Sequence, residues 1–172
     1  MEWGFIMIIE LKKLFFSEVS EEMVDFELCF SDVSLNSVNP FQVPVRVKAY
    51  FCSAIKEVEL TLNIDYILHV PCDRCLEETV ISKNVQLNHV LTHTLQGDED
   101  DNVFILIKDY KLNLSELVYA DVMLNLPVKL LCREDCRGLC SICGGNMNKS
   151  SCDCEAKIVD SRLAVLRQLL EK

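Results

Sequence analysis

Ten cysteines in 172 residues carry the chemistry legible in this chain, and eight of them fall in close pairs. The first block is Cys72-Asp73-Arg74-Cys75, and the second is Cys132-x3-Cys136-x3-Cys140-x2-Cys143-x8-Cys152-x-Cys154. Thiolates two to four residues apart on a turn converge readily on one soft metal ion, and four in a tetrahedral array close a structural zinc site. Eight thiolates suffice for two such sites. Gly138, Gly144 and Gly145, three of only five glycines, lie among them. Glycine accepts the positive φ that turns backbone N–H groups toward sulfur. Gly138 to Asn146 therefore reads as one half of a zinc knuckle and Ser150 to Cys154 as the other.

Other chemistries for these thiols fit less well. The triplet Cys136-x3-Cys140-x2-Cys143 has the spacing that holds the iron–sulfur cluster of radical enzymes using S-adenosylmethionine, but the 29 residues after Cys143 leave no room for the barrel that chemistry needs. A thiol oxidoreductase using the Cys72/Cys75 dithiol beside Arg74 is the alternative. Redox motifs of that kind sit where a strand enters a helix, whereas the flanks here read strand to strand. A disulfide-rich secreted module is disfavoured by Cys152-x-Cys154, which is too tight for an ordinary bridge. Cys29 and Cys52 stand apart and read as small buried hydrophobes. His69, just before the first pair, reads as a polar strand residue rather than a spare ligand. The acidic run 97–102 lacks the carboxylate pattern calcium needs. No Ser-His-Asp set, phosphate-cradling loop or catalytic carboxylate pair can be placed, so the chain reads as a non-enzyme without a small-molecule substrate.

These cysteines must be positioned by the elements around them. Val43, Val45, Val47, Ala49 and Phe51 alternate with polar residues, as do Val58, Leu60, Leu62, Ile64, Tyr66, Leu68 and Val70. Such period-2 patterns predict strands with one buried face, joined through 52–56 as a hairpin. The second strand delivers its end to Cys72, and 80–91 runs back as a third. The first pair thus sits on a turn between strands. A short buried strand is expected over 103–107. Asn113 and Glu116 match a capping box for a helix through Leu124 that Pro127 stops. A second helix is expected from Asp160, with Leu163, Leu166, Leu169 and Leu170 on one stripe. The alternation at Ile8-Ile9-Glu10-Leu11 makes Met7 a rival to Met1 as the native start.

Together these give an α+β fold: an antiparallel β-sheet or partly open, barrel-like body with two helices and a C-terminal Cys-rich zinc knuckle. The body would span 1–130, including the first cysteine turn and one helix, and the tail 131–172. The amino terminus has no basic leader or cleavage site, and no apolar run approaches the ~20 residues that span a bilayer. The chain therefore reads as cytoplasmic, with no membrane partner and with thiols kept reduced.

Net charge is −10, unevenly spread: residues 1–128 carry 9 Lys/Arg against 21 Asp/Glu, and 129–172 carry 8 against 6. An acidic body argues against broad nucleic-acid binding. Contact with RNA or a protein partner is expected through the tail, with Arg133, Arg137, Lys149 and Arg162 as the candidate surface.

Pro71-Cys72-Asp73-Arg74-Cys75-Leu76-Glu77 after a β-rich half, then Leu126-Pro127 leading to Cys132-x3-Cys136-Arg137-Gly138-Leu139-Cys140-x2-Cys143-Gly144, Cys152-x-Cys154 and Asp160-Ser161-Arg162-Leu163, resembles the YceD family, the large ribosomal RNA subunit accumulation proteins. The resemblance runs from Met7 onward. It implies a bacterial, also plastid-represented, non-enzymatic factor needed for large-subunit (23S) ribosomal RNA to be made, processed or kept. Its partner would be the ribosomal RNA precursor or a ribosomal or processing protein. It also bears on ligand pairing, which spacing leaves open. Some relatives carry histidines at the positions of Cys132 and Cys136 and lack the later knuckle. That implies one site of Cys72, Cys75, Cys132 and Cys136 and a second of Cys140, Cys143, Cys152 and Cys154, hence two zinc ions. The competing pairing joins 132, 136, 140 and 143 locally.

Overall fold

A computed structural model describes residues 6–16, 20–35, 38–54, 57–93, 104–152 and 154. The element order is β1 (Ile8–Glu10), α1 (Lys12–Phe16), β2 (Glu21–Leu28), β3 (Val45–Ala54), β4 (Glu57–Pro71), β5 (Glu78–Thr92), β6 (Phe104–Leu106), β7 (Lys111–Asn113) and α2 (Leu114–Leu124). The architecture is α+β. A five-stranded sheet runs in the order β2-β3-β4-β5-β6, and β1 pairs with β7 in a small second sheet.

The alternations set the core. Along β3 and β4, Val45, Val47, Ala49, Phe51, Val58, Leu60, Leu62, Ile64, Tyr66, Leu68 and Val70 are buried, while the intervening residues face outward. Side chains alternate across a strand, so one apolar face and one polar face follow directly from the sequence. β4 and β5 are the longest strands and pair antiparallel from Glu57↔Thr92 to Pro71↔Glu78, with the turn carrying Cys72 and Cys75 at the tip. Leu11, Leu14 and Phe15 near α1 join the same core as Leu114, Val118 and Val122 of α2. The Tyr66 hydroxyl donates to the Asn125 carbonyl at 3.0 Å, and His89 Nε2 meets Asp121 Oδ2 at 2.9 Å, tying α2 to β4 and β5.

Asn113 caps α2 by accepting from the Glu116 N–H, and its own amide donates to the Glu116 carboxylate at 3.1 Å. The helix ends at Leu124 with Asn125 as its cap, before Pro127 is reached.

The sheet is open, with β2 and β6 at its edges, and is not a closed barrel. Several expectations need correction. The sheet is mixed instead of antiparallel throughout, because β6 pairs parallel to β5. β6 is an edge strand with Phe104 and Ile105 half-buried and Leu106 exposed, so the buried residue of this stretch is Ile107, just past it. Cys29 and Cys52 are exposed, not core residues, because Cys29 lies just past the end of β2 and Cys52 faces outward beside buried Phe51. The helix expected from Asp160 and the acidic run 97–102 lie outside the described residues. No helix among the described residues is long and apolar enough to cross a membrane.

Candidate metal centres

The two strands of the β4–β5 hairpin bring Cys72 and Cys75 to a tight turn. Cys72 N–H donates to the Glu77 carbonyl at 2.8 Å, and Leu76 N–H donates to the Cys72 carbonyl at 2.9 Å. The second block repeats this pattern. Cys140 N–H donates to the Gly145 carbonyl at 2.8 Å, and Gly144 N–H to the Cys140 carbonyl at 2.9 Å. Ile142 N–H points at the Cys140 sulfur, 3.5 Å away. Both are knuckles in which a short cysteine loop closes on its own backbone and leaves the sulfurs on one side.

Arg74 and Asp73 carry the chain from one block to the other. The Asp73 carboxylate accepts from Leu130 N–H at 2.7 Å, and the Arg74 guanidinium donates to the Cys136 carbonyl at 2.8 Å. Leu139 N–H donates to the Arg74 carbonyl at 3.1 Å. Gly138 (φ 76°) permits that approach, since a Cβ there would stand 3.0 Å from the Arg74 carbonyl oxygen.

The sulfurs gather in two quartets: Cys72, Cys75, Cys132 and Cys136, and Cys140, Cys143, Cys152 and Cys154, each set lying within 4.8 Å of one another. The structure does not gather the local set 132, 136, 140 and 143. In the first quartet the Cys72 and Cys136 sulfurs are 3.8 Å apart and those of Cys75 and Cys132 3.7 Å. A disulfide needs about 2.05 Å. Four sulfurs about 2.3 Å from one ion at tetrahedral angles stand about 3.8 Å apart, so the donor set and its spacing fit a zinc-type ion. The two quartets differ in access. Cys72 is 0% exposed and Cys75 and Cys136 3% each, whereas Cys143 and Cys154 of the second quartet are exposed.

Each quartet splits its thiols into easily and reluctantly ionised members, because four adjacent negative charges oppose one another. Burial acts against ionisation of Cys72, yet the backbone N–H groups of Cys132, Arg74 and Cys75 outweigh it and bring the thiol down to about 6. Burial, reinforced by the sulfurs of Cys136, Cys75 and Cys72, pushes Cys132 up to about 12. In the second quartet the backbone N–H groups of Cys143 and Ile142 bring Cys140 down to about 6, while the Cys143 and Cys152 side chains push Cys154 up to about 12. A divalent cation removes this conflict and allows all four to bind as thiolates.

The same geometry weighs against a redox dithiol. A thiol that exchanges with a substrate disulfide must be reachable, and Cys72 and Cys75 are buried with each sulfur facing a partner across the quartet. His69 is not among the gathered ligands.

Of the basic candidates, Arg133 pairs with Asp135 at 3.3 Å and donates to the Asn148 side-chain oxygen at 2.9 Å. Lys149 pairs with Glu77, whose carboxyl it holds below the usual range. Arg137 is exposed, and among the described residues its guanidinium has no hydrogen-bond partner. Arg162 lies outside the described residues. Sequence reasoning missed Asn146 and Asn148. Asn146 Oδ1 accepts from Asn148 N–H at 2.9 Å, and Asn148 Nδ2 donates to the Cys136 sulfur at 3.2 Å. The Gly-Gly-Asn-x-Asn run carried a turn signal that could have drawn attention to them.

The class defined by this fold and site is an open-sheet α+β protein with two four-thiol clusters, the first built on the tip of its longest hairpin and the second within the following cysteine-rich segment. The chain belongs to the YceD family of large ribosomal RNA subunit accumulation proteins, whose family model matches residues 60–170. Similar curated proteins include the chloroplastic "Large ribosomal RNA subunit accumulation protein YCED homolog 1" of Zea mays, 32% identical over 40% of this chain and 25% of that protein. The Arabidopsis thaliana protein of the same name is 28% identical over 44% of this chain and 23% of its own length. The chain thus spans about a quarter of the length of the curated relatives it matches. No solved structure matches it.

Proposed function

We propose that this chain is a non-enzymatic, zinc-holding factor in large-subunit ribosome biogenesis, supporting the synthesis, processing or accumulation of 23S ribosomal RNA in the cytoplasm. Membership of the YceD family supports the process. The single observation that carries the metal part is the first quartet, where thiols from a strand turn and from a distant segment meet at the spacing a tetrahedral ion requires.

Zinc held by Cys72, Cys75, Cys132 and Cys136, and a second ion held by Cys140, Cys143, Cys152 and Cys154, supplies cross-links, not a reactive position, because four thiolates leave no ligand site open. The first centre fastens the tail (131–172) to the body (1–130). The tail then presents Arg137, with Arg133 and Lys149 nearby in the same tail, to the ribosomal RNA precursor or to a ribosomal or processing protein; Arg162, outside the described residues, is a further candidate from the sequence. Arg133 and Lys149 are already paired with carboxylates, so among the described candidates Arg137 has most charge to offer a phosphate or an acidic side chain.

Protein purified without chelator should carry two zinc ions per chain and no visible colour; iron with visible absorbance would overturn the structural reading. In cells depleted of the protein, large-subunit ribosomal RNA should fall relative to small-subunit RNA. Wild type should restore the ratio and Cys72→Ser should not. An unchanged ratio on depletion would overturn the biogenesis reading.

A further inference from the structure

The geometry points to a coupling between the two thiol centres: the loop that closes the second centre reaches across to grip the first, so that an ion bound at the second tightens binding at the first through Asn148. This inference rests on the reading that both quartets hold metal.

Asn148 lies between Cys143 and Cys152, inside the loop that the second quartet closes. Its side chain belongs to the first quartet. Nδ2 donates to the Cys136 sulfur at 3.2 Å, while Oδ1 accepts from Arg137 N–H at 2.8 Å and from the Arg133 guanidinium at 2.9 Å. Those two arginines follow Cys132 and Cys136 directly in sequence, so one side chain holds the backbone beside Cys136 and the guanidinium of the residue after Cys132. The next residue, Lys149, pairs with Glu77, whose carboxylate lies 3.8 Å from the Cys75 sulfur. The loop therefore meets the first quartet on two sides.

The loop is itself placed by the second knuckle. Met147 N–H donates to the Gly138 carbonyl at 2.9 Å, Leu139 bridges to Asn146, and Asn146 Oδ1 holds the Asn148 N–H. An ion joining Cys140 and Cys143 to Cys152 and Cys154 restrains both ends of this loop and lowers the entropy cost of keeping Asn148 at Cys136. Groups that donate to metal-bound ligands typically change metal affinity by ~10–100-fold. Binding linkage is reciprocal, so the first ion must tighten the second by the same factor.

The test is a titration of the zinc-stripped full chain with Zn(II) against a chromophoric chelator, repeated with Co(II), whose thiolate charge-transfer bands count the sulfurs bound. Removing the second centre with Cys143→Ser should weaken the first centre by about tenfold. Asn148→Asp keeps an oxygen for Arg133 and Arg137 N–H but removes the N–H donor facing sulfur. It should weaken the first centre to a similar degree while leaving two ions bound. In the Asn148→Asp background, Cys143→Ser should then cost little more. Circular dichroism of the sheet, unchanged in both variants, separates this from unfolding. An unchanged first-centre affinity in Cys143→Ser, or additive losses in the double variant, overturns the coupling alone. A wild-type chain that takes up no zinc overturns the metal reading together with it.

Discussion

Leu76 (φ 59°) occupies the same place in the first knuckle that Gly144 (φ 71°) occupies in the second: each follows the second cysteine of its pair and returns its N–H to the carbonyl of the first. A non-glycine residue in this left-handed region costs ~1–2 kcal/mol. The Leu76 side chain is 65% exposed and recovers little of that by packing.

Leu76→Gly should therefore stabilise the zinc-loaded protein, by about 0.5–1 kcal/mol once glycine's extra backbone entropy is subtracted. Urea unfolding followed by circular dichroism checks this. A loss of stability would show that the leucine side chain does more for the fold than its exposure indicates.

Gly138→Ala should act in the opposite sense. The new Cβ would meet the Arg74 carbonyl oxygen at 3.0 Å in a backbone of φ 76°, a strain of ~1–3 kcal/mol. The Arg74–Leu139 link should loosen, with both sheet content and the second knuckle retained, readable as faster amide exchange at Leu139.

Access should sort the thiols. In zinc-loaded protein under mild alkylation, Cys29 and Cys52 should be modified first, because they are exposed and belong to neither quartet. A chelator should then release the ion held by Cys140, Cys143, Cys152 and Cys154 before the one held by the buried quartet. Peptide mass mapping at successive times gives the order, and early loss of Cys72 or Cys75 protection would contradict it.

Metal uptake should release protons. With Cys72 at about 6, Cys132 at about 12 and Cys75 raised, the empty first quartet near neutral pH holds Cys72 ionised and Cys75 and Cys132 protonated, while, against burial, the Asn148 side chain and the Gly138 N–H lower Cys136. Binding one zinc should thus liberate at least the two protons of Cys75 and Cys132. As pH falls through 6, Cys72 and Cys140 protonate too, more protons must leave per ion, and affinity declines more steeply. Calorimetry in buffers of different ionisation enthalpy reads the count directly.

Asp121→Ala should cost ~1–3 kcal/mol, the usual penalty for orphaning a half-buried polar partner. His89 would lose its 2.9 Å contact, and α2 its polar tie to β5. Equilibrium unfolding of the sheet should report it, and the Asp121→Asn variant should recover part of the loss.

The sequence made the central strands legible because burying one face imposes a period of two: every member of the Val58 to Val70 alternation is in the core. The Asn113 cap was legible for a similarly local reason, a side chain answering a free N–H three residues on. β2 was missed although Val24, Phe26 and Leu28 alternate inward against Asp25 and Glu27, because that run is short and opens on the exposed Glu21, Glu22 and Met23 of an edge strand. α1 is only five residues long, shorter than the period needed to recognise a helix. The cysteine spacing exposed the candidate ligands, but the gathering of Cys72 with Cys136 depends on a long-range return of the chain. The place of Asn148 depends on two knuckles meeting. Neither leaves a local trace.

The register of the β4–β5 hairpin runs unbroken from Glu57↔Thr92 to Pro71↔Glu78, and its tip supplies half of the first quartet. A slip of one residue would turn the whole apolar row of β4 to solvent and carry Cys72 and Cys75 away from Cys132 and Cys136. Only a correctly zipped hairpin can present that turn to the returning chain. An ion held there would thus double as an inspection of the sheet, rewarding the one alignment that is right and leaving every misaligned copy unfastened.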